Sequence, residues 1–310
     1  MRYNLPISSK DGFESVFQLV EHEASLDLVN PYHLNIYSLS IDSNAFSLDS
    51  LYNYVKSNIG RYVFSRAMME NYRIEQNLEA VGLDAVEKLR SADNPNDPGA
   101  GGELGEILLY LFLEQVCGAP KILSKIELKT GNQYIYSSDG VHFLSDRKNG
   151  IQFYQLIFGE SKIIGDIKKA IDNAFRSIVN TKDNPGFDIS LINSQIFKEA
   201  FDQQTIEFLT KLIIPSPNQY TDKNFDTAFG VFIGYSFDIE SKAIDNIEYR
   251  NRARKKISQD IADIQPYLMN KIRENNLGNH SFYFYFLPFN NAARDRAYII
   301  NRLKGGQKNG

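Results

Sequence analysis

Apolar and polar residues alternate along His33–Ile41 (HLNIYSLSI), the two-residue period of a half-buried strand. The period then lengthens: Leu51, Tyr52, Val55 and Ile59, and further on Val86 and Leu89, recur at helical spacing through about fifty proline-free residues. Residues 1–94 therefore read as a mostly helical α/β region. At Asn94–Gly102 (NPNDPGAGG) two prolines and three glycines deny both helix and sheet, which marks a boundary or loop. A helix is predicted over Glu103–Val116, stopped by Gly118 and Pro120. Three strands follow in series, Lys121–Lys129, Gln133–Leu144 and Ile151–Lys162, with Asp146–Gly150 as the turn between the last two. Ile167, Ala170, Ile171, Ala174, Phe175 and Ile178 then recur at three and four, a helix laying one stripe on a sheet. Residues 95–182 thus form a unit ordered helix, strand, strand, strand, helix. The remainder, 183–310, is predicted as a C-terminal α/β region: helix Ser190–Ile214, strand Ala228–Phe237, long helix Asn246–Asn275 and aromatic strand Ser281–Leu287.

Composition narrows the function classes. With 310 residues, 43% hydrophobic and 23% charged, the chain is an ordinary globular protein with ample material for a core. A net charge of −4 means that contact with a polyanion must come from a local patch. One cysteine, Cys117, excludes an intrachain disulfide framework, and four scattered histidines assemble no Cys/His zinc cluster. The longest apolar run, Ile107–Leu113, falls far short of the roughly 20 residues of a bilayer span, and Met1–Lys10 lacks an export signal. A cytoplasmic setting without a membrane partner is expected. There is no Walker-type loop, and the glycines of Gly101–Gly105 precede a helix without a strand before them, so no nucleotide cofactor and no ATP use is expected of this chain itself.

The chemistry concentrates at Glu160-Ser161-Lys162, which ends a strand that is nearly apolar on both faces. Alternation projects Glu160 and Lys162 to one side. A carboxylate and an ammonium there cost desolvation energy unless they pair with each other or meet a ligand. The triplet alone discriminates poorly, since Glu127-Leu128-Lys129 and Glu240-Ser241-Lys242 repeat it. What raises it is Asp139 in Ser138-Asp139-Gly140-Val141-His142 on the preceding strand, because adjacent antiparallel strands can bring the two carboxylates together. Two carboxylates sharing a site repel, and a hard divalent ion such as Mg²⁺ neutralises them. Lys162 would then orient or deprotonate a water, or stabilise charge on a phosphoryl oxygen. Glu103 and Glu106 lie three apart on the preceding helix. Either they face solvent or one adds a metal ligand, Glu106 first and Glu103 in reserve. His142 reads as structural, on the strand face away from Asp139, and Cys117 as a small buried hydrophobe.

Helix Glu, strand Asp and Glu-x-Lys before a helix resemble the PD-(D/E)xK nuclease superfamily. The strings GELGE, SSDGVHF and QLIFGESK are similar, more narrowly, to the HamA family, the nuclease subunits of the Hachiman anti-phage defence system, most firmly over residues 101–180. The resemblance implies a restriction-endonuclease-like core, a central mixed sheet flanked by helices. It further implies a bacterial DNase using Mg²⁺ or Mn²⁺ beside an ATP-driven helicase partner, HamB. By matching position, Asp139 and Glu160 would hold the metal, Lys162 would serve the water and Glu106 would assist. The departure is Ser138 where the superfamily often has proline before the aspartate.

An acidic chain needs concentrated positive charge to hold DNA. Arg250, Arg252, Arg254, Lys255 and Lys256 provide a run without an acid, although a helix spreads them around most of its circumference, and a solvated face explains them equally well. Lys168, Lys169 and Arg176, on the helix after the motif, are better placed for phosphates near Glu160. Two alternatives to the nuclease stay open: a catalytically silent scaffold of the same fold that docks a helicase on DNA, and a hydrolase of nucleotides or RNA.

Overall fold

A computed structural model describes residues 12–22, 26, 28, 30–92, 102–124, 126, 138–148, 150–183, 206–207, 225–239 and 244–305. Its elements are α1 (Phe13–Val16), β1 (Phe17–His22), β2 (Tyr32–Leu39), β3 (Ile41–Asp42), β4 (Ala45–Phe46), α2 (Leu48–Val63), α3 (Arg66–Ile74) and α4 (Val81–Ser91). There follow α5 (Glu103–Gln115), β5 (Lys121–Ser124), β6 (Gly140–Lys148), β7 (Ile151–Ile163), α6 (Ile167–Asp183), β8 (Phe225–Ser236), α7 (Asn246–Glu274), β9 (Ser281–Phe289) and α8 (Ala292–Leu303).

Seven strands form one mixed sheet in the order β1-β2-β9-β8-β7-β6-β5. The inner pairs β2–β9, β9–β8 and β8–β7 are parallel, whereas β1–β2, β7–β6 and β6–β5 are antiparallel. The mixed α/β architecture with flanking helices is as expected, and the sheet draws strands from all three chain segments, 1–94, 95–182 and 183–310. One face carries α5, whose Phe112 ring meets Phe13, Phe17, Tyr37, Phe232 and Tyr285. The other face carries α6, with Phe175 against Phe282 and Phe284. Along β9 the side chains therefore divide by alternation, Phe282, Phe284 and Phe286 stacking toward α6 and Tyr283 and Tyr285 turning to the α5 face.

The N-terminal helical stretch is three helices, the first two started by serine caps and α4 following Ala80 without a side-chain cap. Ser47 caps α2 by accepting from Ser50 N, and Ser65 caps α3 by accepting from Met68 N. Helix α5 is buried on every side from Leu104 to Gln115, which places it at the centre of the fold, without the polar, solvent-facing stripe that the spacing of Glu103, Glu106 and Tyr110 also allowed. It approaches the sheet over small residues: a Cβ on Gly159 would lie 2.8 Å from Leu109, and one on Gly105 would lie 2.8 Å from the Ser161 hydroxyl.

Several boundaries moved. The hairpin between β6 and β7 is tighter than Asp146–Gly150, since Lys148 already pairs with Ile151 and Gly150 takes φ 82°. Strand β6 begins at Gly140, which leaves Asp139 in the bend ahead of it. The start of the predicted Gln133–Leu144 strand, most of the predicted Ser190–Ile214 helix, the Asn94–Gly101 stretch and the triplets at 127–129 and 240–242 lie outside the described residues. Helices α1 and α8 and strand β1 had no counterpart in the sequence pattern.

Candidate active site

Strands β6 and β7 run antiparallel from Lys148↔Ile151 to Gly140↔Gly159. Asp139, one residue before β6, donates its backbone N–H to Gly159 O at 2.8 Å. Its carboxylate then takes over from the ladder: Oδ2 accepts from Ser161 N at 2.8 Å and from Ser161 Oγ at 2.7 Å. The Asp139 carboxylate is thereby fixed beside the Glu160–Ser161 peptide, and Asp139, Glu160 and Ser161 are all buried.

Alternation decides where the rest of the motif goes. Ser161 pairs with Phe232 and faces α5, whereas Glu160 and Lys162 pair with Val231 and Ile233 and turn to the α6 face. There they form an ion pair between Lys162 Nζ and Glu160 Oε1, the carboxylate side chain 5% exposed and the lysine 27%. The two ends of the motif thus sit together, as their spacing predicts.

Glu106 arrives from α5 on the opposite face, buried, its Oε2 accepting from Tyr62 Oη of α2 at 2.9 Å. Glu106, Asp139, Tyr62, Lys121 and His142 line one cavity of about 10 Å³, about the space of a single water-sized body. Burial pushes the Tyr62 phenol well above its ordinary pKa, and the negative charges of Glu106, Asp139 and Glu103 add to the shift. The structure brings Glu106 together with Asp139, and Glu160 together with Lys162; the Asp139–Ser161 contact joins the two pairs. Glu160 is not among the residues lining the cavity, and among the described residues no group of three or more His, Cys, Asp and Glu side chains is arranged to hold a metal ion.

A polar network holds this corner. Lys121 Nζ donates to the carbonyls of Tyr62 and Phe64 at 3.0 Å each, satisfying the last turn of α2. Glu114 Oε1 accepts from Lys121 N at 3.0 Å and pairs with Arg66 at 3.1 Å. His142 Nδ1 lies 2.7 Å from Ala119 O, and burial lowers its pKa to about 4. Its structural contact is as expected, yet it lines the same cavity as Asp139, because strand alternation does not extend to a residue in the bend before β6. Sequence reasoning passed over Tyr62, Lys121 and Ser161. Ser161 lay inside the motif, but nothing in the pattern distinguishes Tyr62 or Lys121 from other helix and strand residues.

The remaining candidates are dispersed. Glu103 meets Lys304, the C-cap of α8, at 3.6 Å. Lys168, Lys169 and Arg176 are exposed on α6, with Lys168 Nζ 5.5 Å from the centre of the Tyr267 ring. On α7 the basic run is split: Arg252 pairs with Glu248, Lys256 pairs with Asp260 at 2.9 Å, Lys255 is exposed, and Arg250 donates to Ile41 O at 3.2 Å. Burial holds the Cys117 thiol up at about 12, far from thiolate chemistry.

The class that the fold defines is a mixed α/β protein with a central seven-stranded sheet flanked by helices. The HamA family model matches residues 14–303, and the chain belongs to that family, a component of Hachiman antiviral defence. No curated protein matches the chain. Among the described residues no helix is long and apolar enough to cross a membrane.

Proposed function

We propose that this protein is a metal-dependent deoxyribonuclease, the effector of a bacterial defence system working with a helicase, and that α5, β5–β7, α6 and β8 are its PD-(D/E)xK core. The observation that carries this is the Asp139–Ser161 contact, which sets an aspartate from one strand against the Glu160–Ser161–Lys162 segment of its antiparallel neighbour. The chemistry of the donor set suits a hard cation, every candidate ligand being a carboxylate; as placed, Asp139 and Glu106 share one cavity, whereas Glu160 stands on the α6 face paired with Lys162. Asp139 and Glu106 would hold Mg²⁺ or Mn²⁺ from the cavity they line, Glu160 would join them only on leaving Lys162 and turning from the α6 face, and Glu103 stands behind them. Bound there, the ion would polarise a phosphodiester and acidify a water.

The chain's own residues do the rest. Ser161 fixes the Asp139 carboxylate, and Tyr62 fixes that of Glu106. Lys162, released from Glu160 as substrate enters, supplies the positive charge that orients the attacking water or meets charge developing on a phosphoryl oxygen. Lys168, Lys169 and Arg176 offer phosphate contacts on the helix that follows, and Arg252 and Lys255 offer further ones on the outer side of α7, with little base readout. A cytoplasmic location accompanies this reading.

A second reading, the silent scaffold that docks a helicase on DNA, draws on the Glu160–Lys162 ion pair and on the lack of a three-donor cluster among the described residues. Incubating the protein with linear and circular DNA, with Mn²⁺ or EDTA, alone and with the helicase and ATP, separates the two. Metal-dependent cleavage abolished by Glu160→Gln supports the nuclease. Helicase binding without cleavage under any of these conditions supports the scaffold, and cleavage of RNA or nucleotides in place of DNA supports the hydrolase alternative.

A further inference from the structure

The basic run on α7 is sorted by the helix itself. Arg250, Ala253, Arg254 and Ile257 stand at i, i+3, i+4 and i+7, one stripe, and all four line a cavity of about 410 Å³ between α7 and the β1–β2 pair. That volume is in the range of small-molecule sites. Gln18 and Ser38, register partners on β1 and β2, form part of the facing wall. Ala253 and Ile257 are fully buried beneath the cavity, and its accessible apolar floor is the half-buried Val20 and Ile41. No Asp or Glu among the described residues lines it. Two guanidiniums of like charge thus share a cavity in a chain of net charge −4 with no carboxylate between them.

Both guanidiniums are exposed on this one stripe, Arg250 also donating to Ile41 O, and two such groups match the oxygens of a phosphate. The apolar floor suits a flat ring, and the hydroxyl and amide opposite suit a sugar or a base edge. We propose that this cavity binds a nucleoside monophosphate, with the phosphate on Arg250 and Arg254 and the base on the floor formed by Val20 and Ile41. It is separate from the candidate nuclease site: β1 and β7 are four strand spacings apart in the sheet, roughly 19 Å.

The test is calorimetric titration of the full-length protein with AMP, GMP, CMP and UMP, and with adenosine and inorganic phosphate as part-ligands. At least one monophosphate is expected to bind at one site per chain, at least tenfold tighter than adenosine or phosphate alone. Arg254→Glu and Arg250→Glu are each expected to weaken it about tenfold or more. Glu160→Gln is expected to leave it unchanged, so this result stands whether or not the protein cleaves DNA. The proposal is overturned if no monophosphate binds, if phosphate alone binds as tightly, or if Glu160→Gln weakens binding while Arg254→Glu does not. The last outcome would assign the nucleotide to the nuclease site.

Discussion

One carboxylate oxygen of Asp139 accepts both the backbone N–H and the hydroxyl of Ser161. The backbone donor survives the loss of the side chain, so Ser161→Ala removes one of two bonds and leaves Asp139 in place. The expected loss is about 1 kcal/mol in urea unfolding, with DNA cleavage reduced but retained. Cleavage lost altogether in a folded Ser161→Ala protein would show that the hydroxyl does more than hold Asp139.

Glu160 and Lys162 neutralise one another at the end of β7. Glu160→Gln keeps the shape and a hydrogen-bonding oxygen, so the melting temperature should change little while cleavage falls at least a hundredfold. Lys162→Met should lower cleavage by a factor of roughly 10² to 10⁴, the usual contribution of a positioned proton-transfer group. Cleavage assays beside thermal melts read both.

The contact between α5 and β7 depends on the absence of side chains. A methyl on Gly159 would meet Leu109 at 2.8 Å and Gly140 O at 3.2 Å, so Gly159→Ala should destabilise by about 1–3 kcal/mol. Gly82 in α4 supplies the control: nothing lies within 4 Å of its would-be Cβ, and Gly82→Ala should stabilise by up to about 1 kcal/mol through helix propensity. Denaturant midpoints of the two variants should move in opposite directions.

His142 makes stability depend on pH. Burial lowers its pKa to about 4, below the 6.5 of an exposed imidazole. The unfolded chain therefore takes up a proton below about 6.5 that the folded chain resists until about 4. The contribution of the neutral, buried ring is complete above 6.5 and is lost as the pH falls toward 4, on the order of 3 kcal/mol over that window. His142→Gln should flatten the stability profile between pH 6.5 and 4, as read by urea unfolding at stepped pH.

Much of this was legible in the sequence, for local reasons. The apolar run of Ile151–Phe158 announced an inner strand, the three-four spacing after Ile167 announced α6, and α7 and β9 lie where periodicity put them. The Glu160–Lys162 pairing follows from alternation alone. What stayed hidden depends on long-range packing. Nothing in its neighbourhood shows that Tyr62 reaches Glu106, 44 positions away, and the burial of Glu106 follows from α5 lying between other helices and the sheet. Likewise the α7 run shows its charge in the sequence, but only the β1–β2 wall shows which two arginines border that cavity.

The sheet order has a consequence for synthesis. Strand β9, made after both of its neighbours, lies between β2 and β8, the latter supporting β7 from the side away from β6. Until Ser281–Phe289 has left the ribosome, β2 and β8 each lack an inner neighbour and the sheet is two unjoined halves. A nascent chain therefore cannot close the scaffold around Asp139 and Glu160, and truncated products carry the motif without a finished frame. For a protein whose proposed activity would damage the genome of its own cell, maturation waits for the synthesis of β9.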